Sequence, residues 1–182
     1  MQRCFVYQQK KGFTTLELII AIGIMVLLTG AVLANYKSND KDLALQRSAN
    51  KLAQDIRRTE GMAMSAKISQ KVPGAPKGGY GLYFQKDEET YKIYADDGNE
   101  QYSGGDTDEE VIALERGIYI KDTNPSSANF SINFKAPDPI IRIKDAAGAD
   151  KDYTEIILAL RTDANKTRTV LVNKTGLIKV IQ

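Results

Sequence analysis

The chain of 182 residues is long enough for one domain with an appended segment. Its 25 basic residues nearly cancel its 23 acidic residues, so the overall charge does not indicate a nucleic-acid binder. With no histidine and a single cysteine, the composition excludes most transition-metal sites, Cys/His nucleophile pairs and an intramolecular disulfide.

The first predicted element is an apolar segment that follows Lys10 and Lys11. No residue from Leu18 to Ala34 is charged. A helix over residues 13–34, rising ~1.5 Å per residue, would span roughly 33 Å, which is enough to cross a bilayer. One acid, Glu17, lies near its start. A carboxylate in hydrocarbon costs about 3 kcal/mol, so Glu17 is a candidate functional residue that needs a partner. An acid that snorkels at the membrane edge is the alternative.

A secretory signal peptide cut after Ala34 is a second interpretation of the same segment. It has the required basic start and small residues before the cut. However, the apolar run is longer than a signal core of about 7 to 15 residues, and Glu17 lies where such a core should begin. In both interpretations the basic end stays in the cytoplasm and the rest of the chain is exported.

The sequence KKGFTTLE at residues 10–17, followed by the apolar run, resembles the class III leader of type IV prepilins and type II secretion pseudopilins. The resemblance implies that a membrane peptidase cuts after Gly12 and methylates the new N-terminal residue, Phe13. It also implies that Glu17 pairs with the Phe13 amine of a neighbouring subunit. Such a pair makes the buried charge tolerable and fixes the axial register of the subunits. Cleavage would remove the only cysteine, Cys4.

The next predicted element continues the helix to about Ala66 as an amphipathic rod. Its apolar positions recur at helical spacing, namely Leu45, Ala49, Leu52, Ile56, Thr59 and Ala63. The charged residues Lys51, Asp55, Arg57 and Arg58 are predicted to lie largely off that stripe. Met62 and Met64 are predicted to be packing residues. The stripe therefore needs another element to cover it.

Beyond a Pro/Gly-rich linker at residues 73–79 the hydrophobic period changes to two, which predicts short strands. The predicted strands are Tyr80–Gln85, Thr90–Asp96, Glu110–Leu114, Ile118–Lys121, Asn129–Phe134, Ile140–Ile143, Thr154–Leu160, Arg168–Val172 and Leu177–Ile181. Because no helix separates them, they are expected to pair antiparallel. The predicted fold is α+β and pilin-like, with a long N-terminal helix packed on antiparallel sheets.

Four segments follow from this interpretation: a cleaved leader over 1–12, a transmembrane and assembly helix over 13–36, its amphipathic continuation over 37–67, and a β domain over 68–182. The helix text LAQDIRRTE, the first hairpin and the ending VLVNKTGLI resemble the minor H-type pseudopilins and their type IV pilus relatives. The resemblance implies a minor structural subunit rather than an enzyme.

A loop rich in oxygen ligands is a candidate calcium site. The first candidate ligands are Asp96, Asp97, Asn99 and Asp106. The spacing does not match the helix-loop-helix calcium motif, and a solvated acidic loop is the favoured interpretation. No other cofactor is expected.

A basic C-terminal segment is a candidate nucleic-acid surface, because clustered cations attract phosphate regardless of sequence. Its residues are Arg161, Lys166, Arg168, Lys174 and Lys179. The segment lacks an arginine cluster and aromatics for base stacking. Complementarity to the acidic loop of a neighbouring subunit explains the same charges.

The sequence thus predicts a subunit of a type IV pilus or a type II secretion pseudopilus. Its expected partners are other pilin or pseudopilin subunits and the prepilin peptidase that also methylates. Before assembly it is expected in the cytoplasmic membrane as a single-pass protein, with its N-terminus in the cytoplasm; afterwards it is expected in a filament. The alternatives are a DNA-binding minor pilin acting in DNA uptake and a secreted soluble domain cut after Ala34.

Overall fold

The computed structural model describes residues 12–69, 71, 73–137 and 140–181; for residues 33–39 and 140 it describes the backbone alone. Residues 1–11 of the predicted leader therefore lie outside the described residues. The chain divides into two compact units, Met1–Asp40 and Lys41–Gln182. This boundary assigns the amphipathic part of the helix to the same unit as the strands.

One long helix, α1, runs from Thr15 to Met64, close to the predicted limits. Its first turn is capped by Thr14, whose Oγ1 accepts a hydrogen bond of 3.2 Å from the backbone N–H of Glu17. In the first unit, the stretch Thr15–Val32 has a mean hydropathy of 2.3 and none of it is buried. This stretch is long and apolar enough to cross a membrane.

In the second unit, the predicted apolar stripe of α1 is confirmed. All six of its positions are buried: Leu45, Ala49, Leu52, Ile56, Thr59 and Ala63. The five apolar members join one hydrophobic core with side chains of both sheets, and Met62 and Met64 pack against that core. Burial of the apolar face removes hydrocarbon from water, which is the main source of stabilisation for such a helix.

In the described part of the chain nine strands follow α1, one for each predicted strand. They are β1 (Tyr80–Gln85), β2 (Thr90–Ala95), β3 (Thr107–Ala113), β4 (Ile118–Asn124), β5 (Asn129–Lys135), β6 (Ile140–Asp145), β7 (Tyr153–Leu160), β8 (Asp163–Asn173) and β9 (Ile178–Ile181). They form a five-stranded sheet in the order β3-β2-β1-β5-β6 and a four-stranded sheet in the order β4-β7-β8-β9. Every pairing is antiparallel, so the α+β prediction is confirmed.

The predicted limits of some strands were too short. β3 begins at Thr107 rather than at Glu110, and β8 begins at Asp163 rather than at Arg168. Both extensions are polar in sequence and resemble turns, yet each is held by cross-strand pairing. Thr107 pairs with Ala95 beyond a bulge in β3 at Glu109, and Asp163 pairs with Leu160 beyond an irregularity in β8 at residues 164–166. Bulges interrupt the period-two alternation on which the prediction rests.

The prediction that Asp55 lies off the apolar stripe was wrong. Asp55 is buried, and its Oδ2 accepts a hydrogen bond of 2.5 Å from the hydroxyl of Tyr91 on β2. Burial first, and then this hydrogen bond, raises the pKa of Tyr91 above its usual value. A buried polar group is retained where it has such a partner, and periodicity in the sequence does not reveal the partner.

Candidate functional site

The predicted cleavage point is in exposed chain immediately before α1. Residues 12–14 are outside regular structure, and the side chain of Phe13 is 85% exposed. Peptidases cut segments that are free of helix or sheet hydrogen bonds. The bond after Gly12 therefore has the accessibility that the predicted processing requires.

The carboxyl group of Glu17 lies in the first turn of α1, where the positive end of the helix dipole favours an acid. Thr14 and Glu17 have the spacing of a capping box, a motif that the sequence analysis missed although T-x-x-E is visible in the chain. Within the described residues only one of its two hydrogen bonds is formed, the one that Thr14 Oγ1 accepts from the backbone N–H of Glu17. Among the described residues, none pairs with the Glu17 carboxylate. That charge is available to a group on another chain.

The alternative cleavage site, after Ala34, lies within regular helix rather than in exposed chain before it. Ala34 lies inside α1, which continues to Met64. A signal peptidase would have to unwind the helix there, whereas the bond after Gly12 needs no unwinding.

Three of the four predicted calcium ligands come together in the structure. Asp96, Asp97 and Asp106 each offer one carboxylate oxygen, and these oxygens lie within 4.8 Å of one another. Asp97 donates its backbone N–H to Asp106 Oδ1 at 2.9 Å, which closes the loop. The fourth residue, Asn99, uses its side chain inside the loop: Nδ2 donates to Ser103 at 2.8 Å, and Oδ1 accepts from the backbone of Gln101 at 2.9 Å.

The acidic loop is attached to the five-stranded sheet by residues from β5 and β6. Asn133 donates to Asp96 Oδ2 at 2.9 Å, and Glu100 forms ion pairs with Lys135 at 2.9 Å and with Arg142 at 3.1 Å. The hydrogen bond from Lys135, the largest cause, lowers the pKa of Glu100. These contacts hold the loop in place with bonds internal to the chain.

The electrostatics of the loop favour a bound proton or cation. Burial is the largest cause that raises the pKa of Asp96 and of Asp106, and the neighbouring carboxylates add to it. The backbone N–H groups of Gly98 and Glu100 donate hydrogen bonds to one carboxylate oxygen of Asp96. Calcium takes six to eight oxygen ligands, so three carboxylates would need carbonyls and water to complete a site.

We expect Asp97→Asn to stabilise the protein by about 0.5 kcal/mol at pH 7, because it removes one of three crowded charges. A carboxyl group with a raised pKa binds its proton more tightly in the folded state. Its contribution to the free energy of unfolding therefore grows as the pH falls through the folded pKa. The variant should gain less than the wild type when the pH falls from 7 towards 4.

Thermal unfolding with and without calcium measures these differences, and Glu88→Gln, an exposed charge change on the β1–β2 turn, is the control. A less stable Asp97→Asn variant would contradict charge crowding. A calcium-dependent rise in the wild type that is absent from Asp97→Asn would favour an ion in the loop over a solvated loop.

Three of the predicted nucleic-acid contacts are paired with acids. Arg161 contacts Glu89 at 3.1 Å. Lys166 contacts Asp42 at 2.9 Å, and Lys174 contacts Asp152 at 3.2 Å. The local positive charge that would attract phosphate is therefore partly neutralised within the chain.

The remaining two cations point to different faces of the four-stranded sheet. Arg168 has the same parity on β8 as the buried Val170, whereas Lys179 has the opposite parity to the buried Ile178 on β9. Side chains alternate between faces along a strand, so the five residues do not make one continuous surface. A nucleic-acid surface there stays a prediction.

Comparisons of the chain with protein-family models, with curated proteins and with solved structures give no match.

Proposed function

We propose that the chain is a structural subunit, of the minor kind, of a type IV pilus or a type II secretion pseudopilus. One observation carries the proposal: the apolar stretch Thr15–Val32, none of which is buried, follows the exposed Gly12-Phe13 bond by one residue and has in its first turn the Glu17 carboxylate, which pairs with none of the described residues. A helix that is apolar all round requires lipid or other helices around it.

Processing and assembly would use the same few residues. Cleavage after Gly12 creates a positive amine on Phe13, and the Glu17 carboxylate of a neighbouring subunit pairs with it as the helices associate. A pair of opposite charges in an apolar surrounding is tolerable, whereas a wrong stagger leaves both charges unpaired. The pair therefore selects one axial register.

Before assembly, the stretch Thr15–Val32 anchors the subunit in the cytoplasmic membrane. The predicted basic leader stays in the cytoplasm, and the unit Lys41–Gln182 is exported. The partners are other pilin or pseudopilin subunits and the prepilin peptidase. The antiparallel sheets packed on the second half of α1 are the expected pilin-like head, which presents the surface of the subunit.

The test of processing is the variant Gly12→Val in a host with a prepilin peptidase. The wild type is expected to lose residues 1–12, whereas Gly12→Val stays at full length because a branched side chain precedes the cut. Gly23→Val is the control, since Gly23 lies in α1 with open space around it. A shift in mass on a denaturing gel separates the forms. Normal processing of Gly12→Val, or no processing of the wild type, would contradict the proposal.

A further inference from the structure

Three segments of the chain have the sequence Asn-X-Ser/Thr with no proline at X. They are Asn129-Phe130-Ser131, Asn165-Lys166-Thr167 and Asn173-Lys174-Thr175. Such a triplet is an acceptor for N-linked glycosylation when it is exposed on an exported protein. The transferring enzyme must surround the segment, so hydrogen bonding and burial decide which triplet can react.

The first triplet is inaccessible. Asn129, Phe130 and Ser131 begin β5, which lies between β1 and β6 in the five-stranded sheet. Phe130 and Ser131 are buried. An enzyme would have to separate β5 from both of its neighbouring strands to reach the asparagine.

The second and third triplets have the same middle and last residue types. In the third triplet, however, hydrogen bonds hold the asparagine side chain in a turn. Asn173 Oδ1 accepts from the Thr175 backbone at 3.1 Å, from the Thr175 hydroxyl at 2.7 Å and from the Leu177 backbone at 2.9 Å. The amide oxygen of Asn173 and the hydroxyl of Thr175 are therefore both bonded in the turn between β8 and β9, which fixes the orientation of the asparagine side chain.

The triplet at Asn165 is open. The β7–β8 ladder pairs Leu160 with Asp163 and Ala159 with Thr167, so residues 164–166 protrude without cross-strand partners. Asn165 is exposed; its backbone N–H donates to Asp163 Oδ1 at 3.2 Å, and no described residue forms a hydrogen bond with its side-chain amide. The Thr167 side chain is half-exposed, and its hydroxyl has no partner in the described part of the chain. The acceptor groups at Asn165 and Thr167 are thus free.

The surroundings of Asn165 hold the segment weakly. Lys166 contacts Asp42, and Lys121 donates to the carbonyl of Ala164 at 3.0 Å. Exposed ion pairs and hydrogen bonds of this kind contribute little to stability, so an enzyme can displace them.

We propose that Asn165 is an acceptor for N-linked glycosylation from a polyprenyl-diphosphate-linked oligosaccharide. The side-chain nitrogen forms a bond to the anomeric carbon of the donor as the bond from that carbon to the diphosphate oxygen breaks. The lipid diphosphate leaves with the electron pair, and the amide loses one proton to solvent. In the cell this rests on the proposed function, because the domain must be exported to meet the enzyme.

The test uses the full chain in detergent with a purified oligosaccharyltransferase that requires only the Asn-X-Ser/Thr triplet, and its lipid-linked oligosaccharide. Mass spectrometry of the digested chain should find one oligosaccharide on the peptide that contains Asn165. Asn165→Gln and Thr167→Ala are each expected to reduce the modified fraction at least about tenfold. The matched control Asn173→Gln should leave it unchanged.

An unmodified Asn165 in a reaction that modifies an added acceptor peptide would overturn the proposal. Equal modification of Asn129 or Asn173 would overturn the argument from accessibility. Because the reaction runs in detergent, its result is independent of export. Modification in detergent together with a domain that stays in the cytoplasm of intact cells would refute the filament proposal and leave the acceptor site standing.

Discussion

Glu17→Gln is expected to insert into the membrane like the wild type but to enter filaments about 100-fold less. Glutamine keeps the length and the hydrogen-bonding capacity of the side chain and removes only its charge. The Phe13 amine of the neighbouring subunit would then be unpaired among apolar helices. An unpaired charge there costs about 3 kcal/mol, and each ~1.4 kcal/mol is a factor of about ten. The measurement is the fraction of the variant recovered with sheared filaments, relative to the fraction in membranes.

Thr14→Ala is the matched control for the role of Glu17 in starting the helix. It removes the hydrogen bond between Thr14 Oγ1 and the Glu17 N–H, at a cost of about 1 kcal/mol to the helix end, and leaves the carboxylate intact. It should enter filaments nearly as well as the wild type. If Thr14→Ala fails as Glu17→Gln does, the cap is the function of this segment; if Glu17→Gln assembles normally, the pairing idea is wrong.

Leu52→Ala is expected to lower the free energy of unfolding by about 2 to 5 kcal/mol. Leu52 is 0% exposed and belongs to the core shared by α1 and both sheets. Truncation removes its apolar contacts and leaves a cavity. The closely packed neighbours cannot move far enough to fill that cavity. Denaturation of the full chain in detergent, followed by circular dichroism, measures the change.

Leu43→Ala provides a control of the same residue type on the same helix. Leu43 is 50% exposed, so its truncation should change the free energy of unfolding by no more than about 0.5 kcal/mol. Equal effects of the two substitutions would mean that the stripe through Leu52 does not hold α1 against the sheets.

The elements of the fold were predictable because their patterns are local. The helical recurrence of Leu45, Leu52 and Ile56 identified the buried face of α1, and period-two alternation identified each strand. The starts of β3 and β8 were not predictable, since polar residues there are held by pairing beyond a bulge. Bulges depend on the neighbouring strand, which sequence periodicity does not describe.

The acidic loop was predictable as a cluster but not as a structure. Asp96, Asp97 and Asp106 are near one another in sequence, so their proximity in space follows from one loop. The residues that hold the loop, Asn133 and Lys135, are distant in sequence and become neighbours only through the pairing of β1 with β5.

In the basic C-terminal segment, closeness in sequence did not predict closeness on one surface. Its cations are close in sequence, which suggested one surface. Strand alternation places Arg168 and Lys179 on different faces, and partners from distant elements, Asp42 for Lys166 and Glu89 for Arg161, neutralise others. A charge cluster in sequence becomes a surface only where the side chains share a face.

The proposal of a filament subunit depends on how the chain is processed. We would determine the intact mass and the N-terminal sequence of the protein recovered from membranes of a host with its own processing peptidase. The proposal predicts a mature chain that begins at methylated Phe13. A chain that begins at Asn35 would make this an ordinary secreted domain, in which Glu17 has no part, and would contradict the proposal.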